Sequence, residues 1–220
     1  ADQLQNSPAR WQFLGQQVMF GQLKAVGAPN SANTDNPDGQ GGVFINADQW
    51  DGYPRARERI WRLIRGGQGA PNVAFDNIVV LTGDIHTSWA QDITEDPNNP
   101  DFYNPETGVG SMAVEFVGTS VTSPGSNGDP ATVKRQNPAM KYVELASRGY
   151  MLLDITRERV QSEWWFVDDI ETRNDQQRFG AAYLVENGQS HVVAGEGASG
   201  ERRNAPALAP VRANFNTDTA

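Results

Sequence analysis

The stretch Val79-Val80-Leu81-Thr82-Gly83-Asp84-Ile85-His86-Thr87-Ser88-Trp89 decides how the chain is expected to fold. Residues 78–81 form an apolar, largely β-branched run, which is typical of a central strand covered on both faces. Gly83 allows a tight turn after that strand, because it has no Cβ. In an extended backbone, Asp84 and His86 would point to the same side. At the carboxyl end of a central strand, both side chains could then reach one crevice.

Asp84 and His86 together offer a hard carboxylate oxygen and a neutral imidazole nitrogen. These two donors suit Zn, Mn or Fe, and the carboxylate alone also suits Ca. The alternative is that Asp84 caps the turn and His86 is a hydrogen-bonded loop residue. The residues by themselves leave both interpretations open.

The composition of the chain excludes several kinds of site and partner. Its 220 residues are enough for one domain with a core, or for part of a larger domain. The formal net charge of -9 argues against nucleic acid and anionic membrane surfaces as general partners. A phosphate substrate is still compatible, because bound metal cations would dominate the local field. The absence of cysteine excludes disulfides, thiolate metal sites and cysteine nucleophiles. No run approaches the 18 apolar residues of a transmembrane helix.

The first half of the chain predicts a strand, a loop and a helix before the central strand. Residues 11–23 are mostly apolar and predict a buried strand directed toward the site, in which Gln16 and Gln17 contact a ligand or satisfy local backbone groups. Residues 28–42 predict a long loop. Pro54 and the apolar spacing up to Arg65 predict a helix that Gly66-Gly67 ends.

The second half predicts loops, a strand and two hairpins. Residues 92–104 and 127–136 predict polar loops, 112–116 a strand, and 138–146 a short helical turn or an irregular segment. Residues 148–154 and 159–167 predict a β-hairpin with a short polar connection. Residues 181–186 and 191–194 predict a second hairpin around Asn187-Gly188. Residues 196–220 are expected to be a weakly packed tail.

Five sequence blocks occur in a specific order over roughly residues 7 to 170. The blocks are WQFLGQQVMFGQL (11–23), DQWDGY (48–53), GDIHTSW (83–89), EFVGTSVTSPG (115–125) and RGYMLLDITRERVQSEWWFVD (148–168). In this order they resemble the blocks of PhoD-like alkaline phosphatases and phosphodiesterases, a branch of the calcineurin-like metallophosphatases that includes phospholipase D-type members. The series is far more specific than any one block.

The resemblance implies a fold and a set of site residues. The fold would be α/β (α+β), with residues 1–195 forming the C-terminal half of a four-layer αββα metallophosphatase sandwich. Asp84 and His86 would coordinate metal and act in catalysis, in the place of the family's last Gly-His-x-His motif. Substrate contacts would come from Trp50, Asp51, Tyr53, Arg55 and Trp89. Thr119, Ser120 and Ser123 are weaker candidates for hydrogen bonds to phosphate or within their loop, and Thr87 and Ser88 would orient contacts around the metal ligands.

Some of these assignments have structural alternatives. The residues of the DQWDGY block and Arg55 could equally serve in helix capping and packing. Trp89 fits a wall of the site better than a chemical role. His191 stands in a candidate hairpin with no motif around it, so we do not expect it to be a ligand. Family members often carry a His after the Asn-Pro that precedes the first hairpin, whereas this chain has Ala139.

The resemblance also implies an activity, cofactors and a location. The activity would be hydrolysis of phosphoric monoesters or diesters, phospholipid headgroup esters included, by a metal-bound hydroxide at a site with two or more ions. Fe and Ca are the metals that the family implies, with Zn and Mn as alternatives. The family further implies export to the periplasm or the exterior, with a leader upstream of the residues shown.

This chain offers too few candidate metal ligands for a site that holds two or more ions. Each ion takes about four to six ligands, so one Asp and one His cannot build a two-metal centre. In the family, the other ligand motifs precede the block that residues 11–23 resemble. Either the enzyme is cleaved into two associated chains, with an N-terminal half chain as the partner, or this chain is a truncated fragment. We favour the two-chain enzyme, because half a sandwich would expose sheet edges and an apolar face.

A second hypothesis is a non-catalytic, β-rich module that binds Ca or carbohydrate. Loops, aromatic residues and acidity are compatible with such a module. It leaves the ordered series of blocks unexplained, and it predicts that loss of the His86 imidazole would have no effect on function.

Overall fold

The structure, a computed structural model, describes Leu4 and residues 6–25, 42–66, 75–172, 175–201, 204–205 and 207. The long loop predicted for residues 28–42 therefore lies outside the described residues, except for its last residue. In chain order the elements are β1 (Gln12–Gly15), β2 (Lys24–Ala25), β3 (Val43–Phe44), a 3₁₀ turn (Trp50–Gly52), α1 (Pro54–Arg65), β4 (Ile78–Thr82), β5 (Ser88–Ile93), β6 (Ala113–Val117), α2 (Pro130–Gln136), β7 (Met140–Glu144), β8 (Gly149–Ile155), β9 (Arg159–Val167), β10 (Gln177–Glu186) and β11 (Val193–Ala194).

The first sheet is mixed and has the strand order β1-β4-β6-β5-β7. Strand β4 pairs in parallel with β1 on one side and β6 on the other, so the prediction of a central strand is confirmed. Strand β5 runs antiparallel to both β6 and β7. The carboxyl ends of β1, β4 and β6 consequently lie at one edge of the sheet, together with the start of β5.

The second sheet is antiparallel, with the order β11-β10-β9-β8. It contains both predicted hairpins, which are therefore confirmed: β8 pairs with β9, and β10 with β11. Gly188 has a φ of 79° in the second hairpin, a conformation that glycine adopts without strain. Strand β10 is longer than predicted, because its first half pairs with β9 as far as Val167.

The two sheets and α1 form successive layers, which confirms the mixed α/β class. Alternate residues of β4 face opposite sides, as the strand period requires. Val79 packs between the sheets with Phe116 and Trp164. Ile78 and Val80 instead pack against Trp61 and Ile64 of α1. Each such side chain contributes roughly 1.5–3 kcal/mol when fully buried.

The prediction of one strand over residues 11–23 is wrong, because β1 ends at Gly15. After that point the backbone leaves the sheet, and buried side chains accept its N–H donors. Glu115 accepts from Phe20 and Gly21, both at 2.8 Å, and Asp51 Oδ2 accepts from Leu23 at 3.0 Å. Because these donors have partners, the segment needs no strand neighbour.

Three other predicted segments differ from the structure. Residues 130–136 form helix α2, because Asp129 caps it through the backbone N–H groups of Ala131 and Thr132 and Pro130 opens it. Residues 140–144 form β7, whose pairing with β5 overrides a weak local pattern. Strand β5 continues to Ile93, so the loop predicted from residue 92 begins later.

The predicted helix over residues 54–65 is confirmed as α1, which Gly66 ends with a φ of 71°. Within the described residues, no helix has the length and apolarity needed to cross a membrane. Part of the predicted tail lies against the second sheet: Gly197 O accepts from Gln161, and Ser199 N donates to Glu163. Residues 208–220 of that tail lie outside the described part of the chain.

Candidate metal and phosphate site

The turn that follows β4 carries Asp84 and His86. The expectation of extended backbone here is wrong: Asp84 has a φ of 69° and His86 a φ of 61°. The N–H of Ile85 donates to Gly83 O at 2.8 Å and closes the turn. A left-handed conformation is costly for residues with a Cβ and is concentrated at functional sites. The turn is therefore held in a strained shape, and it exposes a carboxylate and an imidazole, two side-chain types that can bind metal.

Both side chains are available for a ligand. Asp84 and His86 are exposed, and neither side chain hydrogen-bonds to a described residue. A carboxylate oxygen and an imidazole nitrogen fit Fe, Zn or Mn as first ligands. Among the described residues, however, no group of three or more His, Cys, Asp or Glu is placed to hold a metal ion. The turn thus supplies a suitable but partial donor set.

Neighbouring loops at the same sheet edge hold the turn in place. Thr82, the last residue of β4, accepts from the N–H of Gly118 at 2.9 Å through its carbonyl oxygen. The Thr119 hydroxyl lies 3.1 Å from His86 O and 3.0 Å from Ser147 O. Thr87 Oγ1 accepts from the Trp89 indole N–H at 2.6 Å. These contacts connect β4, β6 and the start of β8 around the turn.

A concavity of about 350 Å³ borders this edge. Its lining is largely apolar and comes from residues 16–18, 48–50, 53 and 56. The N–H of Gln16 donates to Leu81 O at 2.8 Å, so the concavity adjoins the carboxyl end of β4. The Trp50 indole N–H donates to Gln16 Oε1 at 3.0 Å, and Phe20 contacts Trp50 edge-on with ring centroids 5.1 Å apart.

The structure places the predicted substrate-binding residues in different environments. Trp50 and Tyr53 line the concavity, and Tyr53 is 58% exposed. Arg55 is exposed and lies 3.7 Å from Glu58. Asp51 is buried and pairs with Arg57 at 2.6 Å, so the packing alternative describes its contacts. Trp89 is buried beneath the turn.

Thr119, Ser120 and Ser123 lie on the loop after β6, whereas Thr87 directly precedes β5 and Ser88 begins it. The Ser120 hydroxyl donates to Ser123 O at 2.7 Å, which closes that loop on itself. Ser88 Oγ is buried and has no hydrogen-bond partner among the described residues. The roles of these five residues at the site stay predictions.

Glu115 is a buried acidic residue that the sequence analysis did not single out. It is fully buried on β6 and accepts from Gln91 Nε2 at 2.7 Å, besides its two backbone donors. Its other oxygen lies 2.5 Å from Thr82 Oγ1. Burial raises the pKa of Glu115 above its ordinary value, and the hydrogen bonds oppose that rise. The available signal was an acidic residue inside the apolar run Ala113–Val117.

His191 lies at the opposite end of β5 from the turn. Its Nδ1 is 2.7 Å from Asp92 Oδ2, which also accepts from the Tyr103 hydroxyl at 2.7 Å. Lys141 Nζ is 3.8 Å from the same oxygen. Ala139 is also at this end, where its carbonyl oxygen accepts from Asp92 N at 3.0 Å. The structure therefore does not bring His191 or Ala139 to the turn.

The chain is similar to known phosphatases in sequence and in structure. A sequence model of the PhoD-like phosphatase family matches residues 1–164. Alkaline phosphatase D of Bacillus subtilis (strain 168) is 30% identical over 165 residues, which cover 73% of this chain and 24% of that protein. A solved structure described as the structure of PhoD aligns with a TM-score of 0.69 at 25% identity. That alignment covers 90% of this chain and 34% of the solved one, so the chain spans about a quarter to a third of these relatives.

Proposed function

The chain belongs to the PhoD-like phosphatase family, and we propose that it forms the C-terminal half of a metal-dependent phosphoric-ester hydrolase. The observation that carries the proposal is the exposed Asp84–His86 turn at the carboxyl edge of the first sheet. Two metal-ligand side chains stand there on strained backbone. Strained backbone of this kind is concentrated at functional sites, which supports a role of the turn in the family's activity.

Asp84 and His86 would hold a metal ion through a carboxylate oxygen and an imidazole nitrogen. Fe and Ca are the proposed ions, with Zn and Mn as alternatives, because the donor pair suits a transition metal and the carboxylate also suits Ca. Bound ions would lower the pKa of water and neutralise the charge of the phosphate oxygens. The turn itself presents the two ligands and keeps them clear of competing hydrogen bonds within the described residues.

The remaining ligands would come from residues outside this chain. The described residues supply two suitable side chains, whereas a two-metal centre needs more. The relatives are about three to four times as long as the matched part of this chain. We propose an N-terminal half chain of the same enzyme as the partner, and the periplasm or the exterior as the location.

The concavity beside the turn would hold part of the ester. Its largely apolar lining, with Trp50 and Tyr53, fits the alcohol group better than the phosphate. Arg55 is exposed, and it lies along the chain between Tyr53 and Ala56, which line the concavity. Its guanidinium group would attract the anionic phosphate. Both monoesters and diesters, phospholipid headgroup esters included, are compatible with this arrangement.

The test is an activity assay on the native, metal-loaded protein with a panel of phosphate monoesters and diesters. We expect turnover, and we expect Asp84→Asn to lower it by at least about a hundredfold, since even indirect partners of metal sites contribute 10–100-fold. Asp101→Asn, an equivalent change at an exposed loop residue, is the matched control and should leave turnover unchanged. A wild-type protein without activity on the whole panel would contradict the proposal.

The two-chain form has its own test. An intact-mass spectrum of the native material under denaturing conditions should show a second polypeptide in equal amount. If this chain alone is present and the material is still active, the partner proposal is wrong. If a longer single polypeptide appears, the missing ligands lie on the same chain.

A further inference from the structure

Glu115 joins the two parts of the candidate site through its two carboxyl oxygens. One oxygen, Oε1, accepts from the N–H of Phe20 at 2.8 Å and lies 2.5 Å from the Thr82 hydroxyl. The other, Oε2, accepts from the N–H of Gly21 at 2.8 Å and from Gln91 Nε2 at 2.7 Å. The carboxyl group is fully buried and forms no ion pair with a described residue.

Two of these contacts, those with Thr82 and Phe20, continue to residues of the site. Thr82 is the last residue of β4 and lies two positions before Asp84. Phe20 contacts the Trp50 ring edge-on, and Trp50 lines the concavity. The single buried carboxyl group of Glu115 therefore contacts two parts of the site. One is the end of β4, which precedes the Asp84–His86 turn, and the other is the segment around Phe20, which supports Trp50 in the wall of the concavity.

The segment that contains Phe20 and Gly21 has no strand neighbour to fix it, because β1 ends at Gly15. Its position depends on side chains that accept its backbone N–H groups, and two of those groups donate to Glu115. A Cβ on Gly21 would lie 2.3 Å from Gln91 Nε2. A side chain at this position would therefore displace the Gln91 amide, which donates to Glu115.

We infer that Glu115 is a positioning residue, which fixes the Asp84–His86 turn and the Trp50 wall relative to each other. This inference rests on the proposed function for its kinetic consequences. Glu115 touches neither the turn side chains nor the concavity, so it acts through Thr82 and Phe20. Buried polar groups of this kind hold reacting groups within the small tolerances that catalysis requires.

Glu115→Gln tests the inference, whatever the protonation state of the carboxyl group. Each oxygen accepts from one backbone N–H, and an amide has only one oxygen, so one backbone donor must lose its partner. We expect hydrogen exchange of the amides in residues 18–23 to accelerate, and kcat/KM to fall by about tenfold or more. The affinity for the metal should fall with it.

Glu163→Gln is the matched control. Glu163 is also a buried acidic residue, and it accepts from Gln161, Trp165 and the N–H of Ser199 on the second sheet. The same chemical change there should lower stability without changing exchange at residues 18–23 or the kinetics of the folded enzyme. A loss of activity that is equal in both variants would overturn the inference.

If Glu115→Gln does not fold, Thr82→Val tests the same inference. Valine preserves the β-branched shape and removes only the hydroxyl that contacts Glu115. We expect a smaller loss of kcat/KM, with the fold retained. The inference would be overturned if, in the variants that fold, hydrogen exchange at residues 18–23 were unchanged and kcat/KM stayed within twofold of the wild-type value. An inactive wild type would contradict the proposed function, and the exchange measurement would then decide the positioning role by itself.

Discussion

The molecule contains two Asp–His pairs, one at each end of β5, and they differ in almost every physical respect. Asp84 and His86 are exposed, stand on left-handed backbone and have no side-chain partner among the described residues. Asp92 is 2% exposed and pairs with His191, and its oxygens accept from Tyr103 and from the N–H of Val192. The Asp92–His191 pair is satisfied and buried, as a stabilising contact would be, whereas Asp84 and His86 are placed as we propose for metal ligands, exposed and without side-chain partners among the described residues.

The largest expected difference between the two pairs is the effect of losing their histidine on turnover. We expect His86→Ala to lower kcat by about a hundredfold or more in the metal-loaded enzyme, since a metal ligand is lost, with little change in the free energy of unfolding. His191→Ala removes the only other histidine of the chain and should leave kcat of the folded protein unchanged. Steady-state kinetics on both variants check this. Equal losses of kcat in the two variants would contradict the proposal that only the Asp84–His86 pair acts in turnover.

The second effect separates them by stability. Asp92→Ala leaves the Tyr103 hydroxyl, the Val192 N–H and His191 without their shared buried acceptor. We expect the free energy of unfolding to fall by about 3 kcal/mol. Asp84→Ala should lower it by no more than about 1 kcal/mol, because no side-chain hydrogen bond to a described residue is lost and only the backbone preference at a φ of 69° changes. Urea unfolding measures both values, and a comparable loss for Asp84→Ala would contradict the account.

Glu115 differs from both pairs, because it is a buried acidic residue without a cationic partner among the described residues. Burial raises its pKa above the ordinary 4.5, so the folded state retains a proton that the unfolded state has released. Its contribution to stability is therefore fully present below about pH 4.5 and is lost as the pH rises through the folded pKa. The difference in unfolding free energy between wild type and Glu115→Gln should fall across that window. A difference that is independent of pH would contradict this assignment.

The smallest effect tests the strain in the turn. His86→Gly should raise the free energy of unfolding by about 1 kcal/mol, because glycine adopts a φ of 61° without steric cost. Activity should nevertheless be lost, as expected when stability and function compete at one position. Ser88→Gly, at the start of β5, should instead be destabilising by about 1 kcal/mol. A destabilised His86→Gly variant would show that the turn is not strained.

Local patterns in the sequence were enough to predict the strongly periodic helix and strands and to indicate the family. The apolar run before Gly83, the helix after Pro54 and the two hairpins with polar connections lie where their residues predict them. The order of the five blocks is enough by itself to indicate the family. These features depend on short-range chemistry, which one sequence displays directly.

Features that depend on contacts between distant residues could not be predicted. Strand β1 ends early because Glu115, almost a hundred residues away, accepts the next N–H donors. Strand β7 forms because β5 offers it an edge. The left-handed backbone of Asp84 and His86 opposes their intrinsic preferences, so only the surrounding structure reveals it. A sequence can suggest which residues bind metal, but it does not show how the backbone presents them.

The central claim is that Asp84 and His86 are metal ligands of a hydrolytic site, and metal content tests it most directly. The measurement is elemental analysis of the native protein beside an Asp84→Asn/His86→Ala variant, after equal exhaustive dialysis. The account predicts two or more ions per enzyme in the wild type and the loss of at least one ion in the variant, with the fold intact by circular dichroism. A folded variant with the same metal content as the wild type would contradict it.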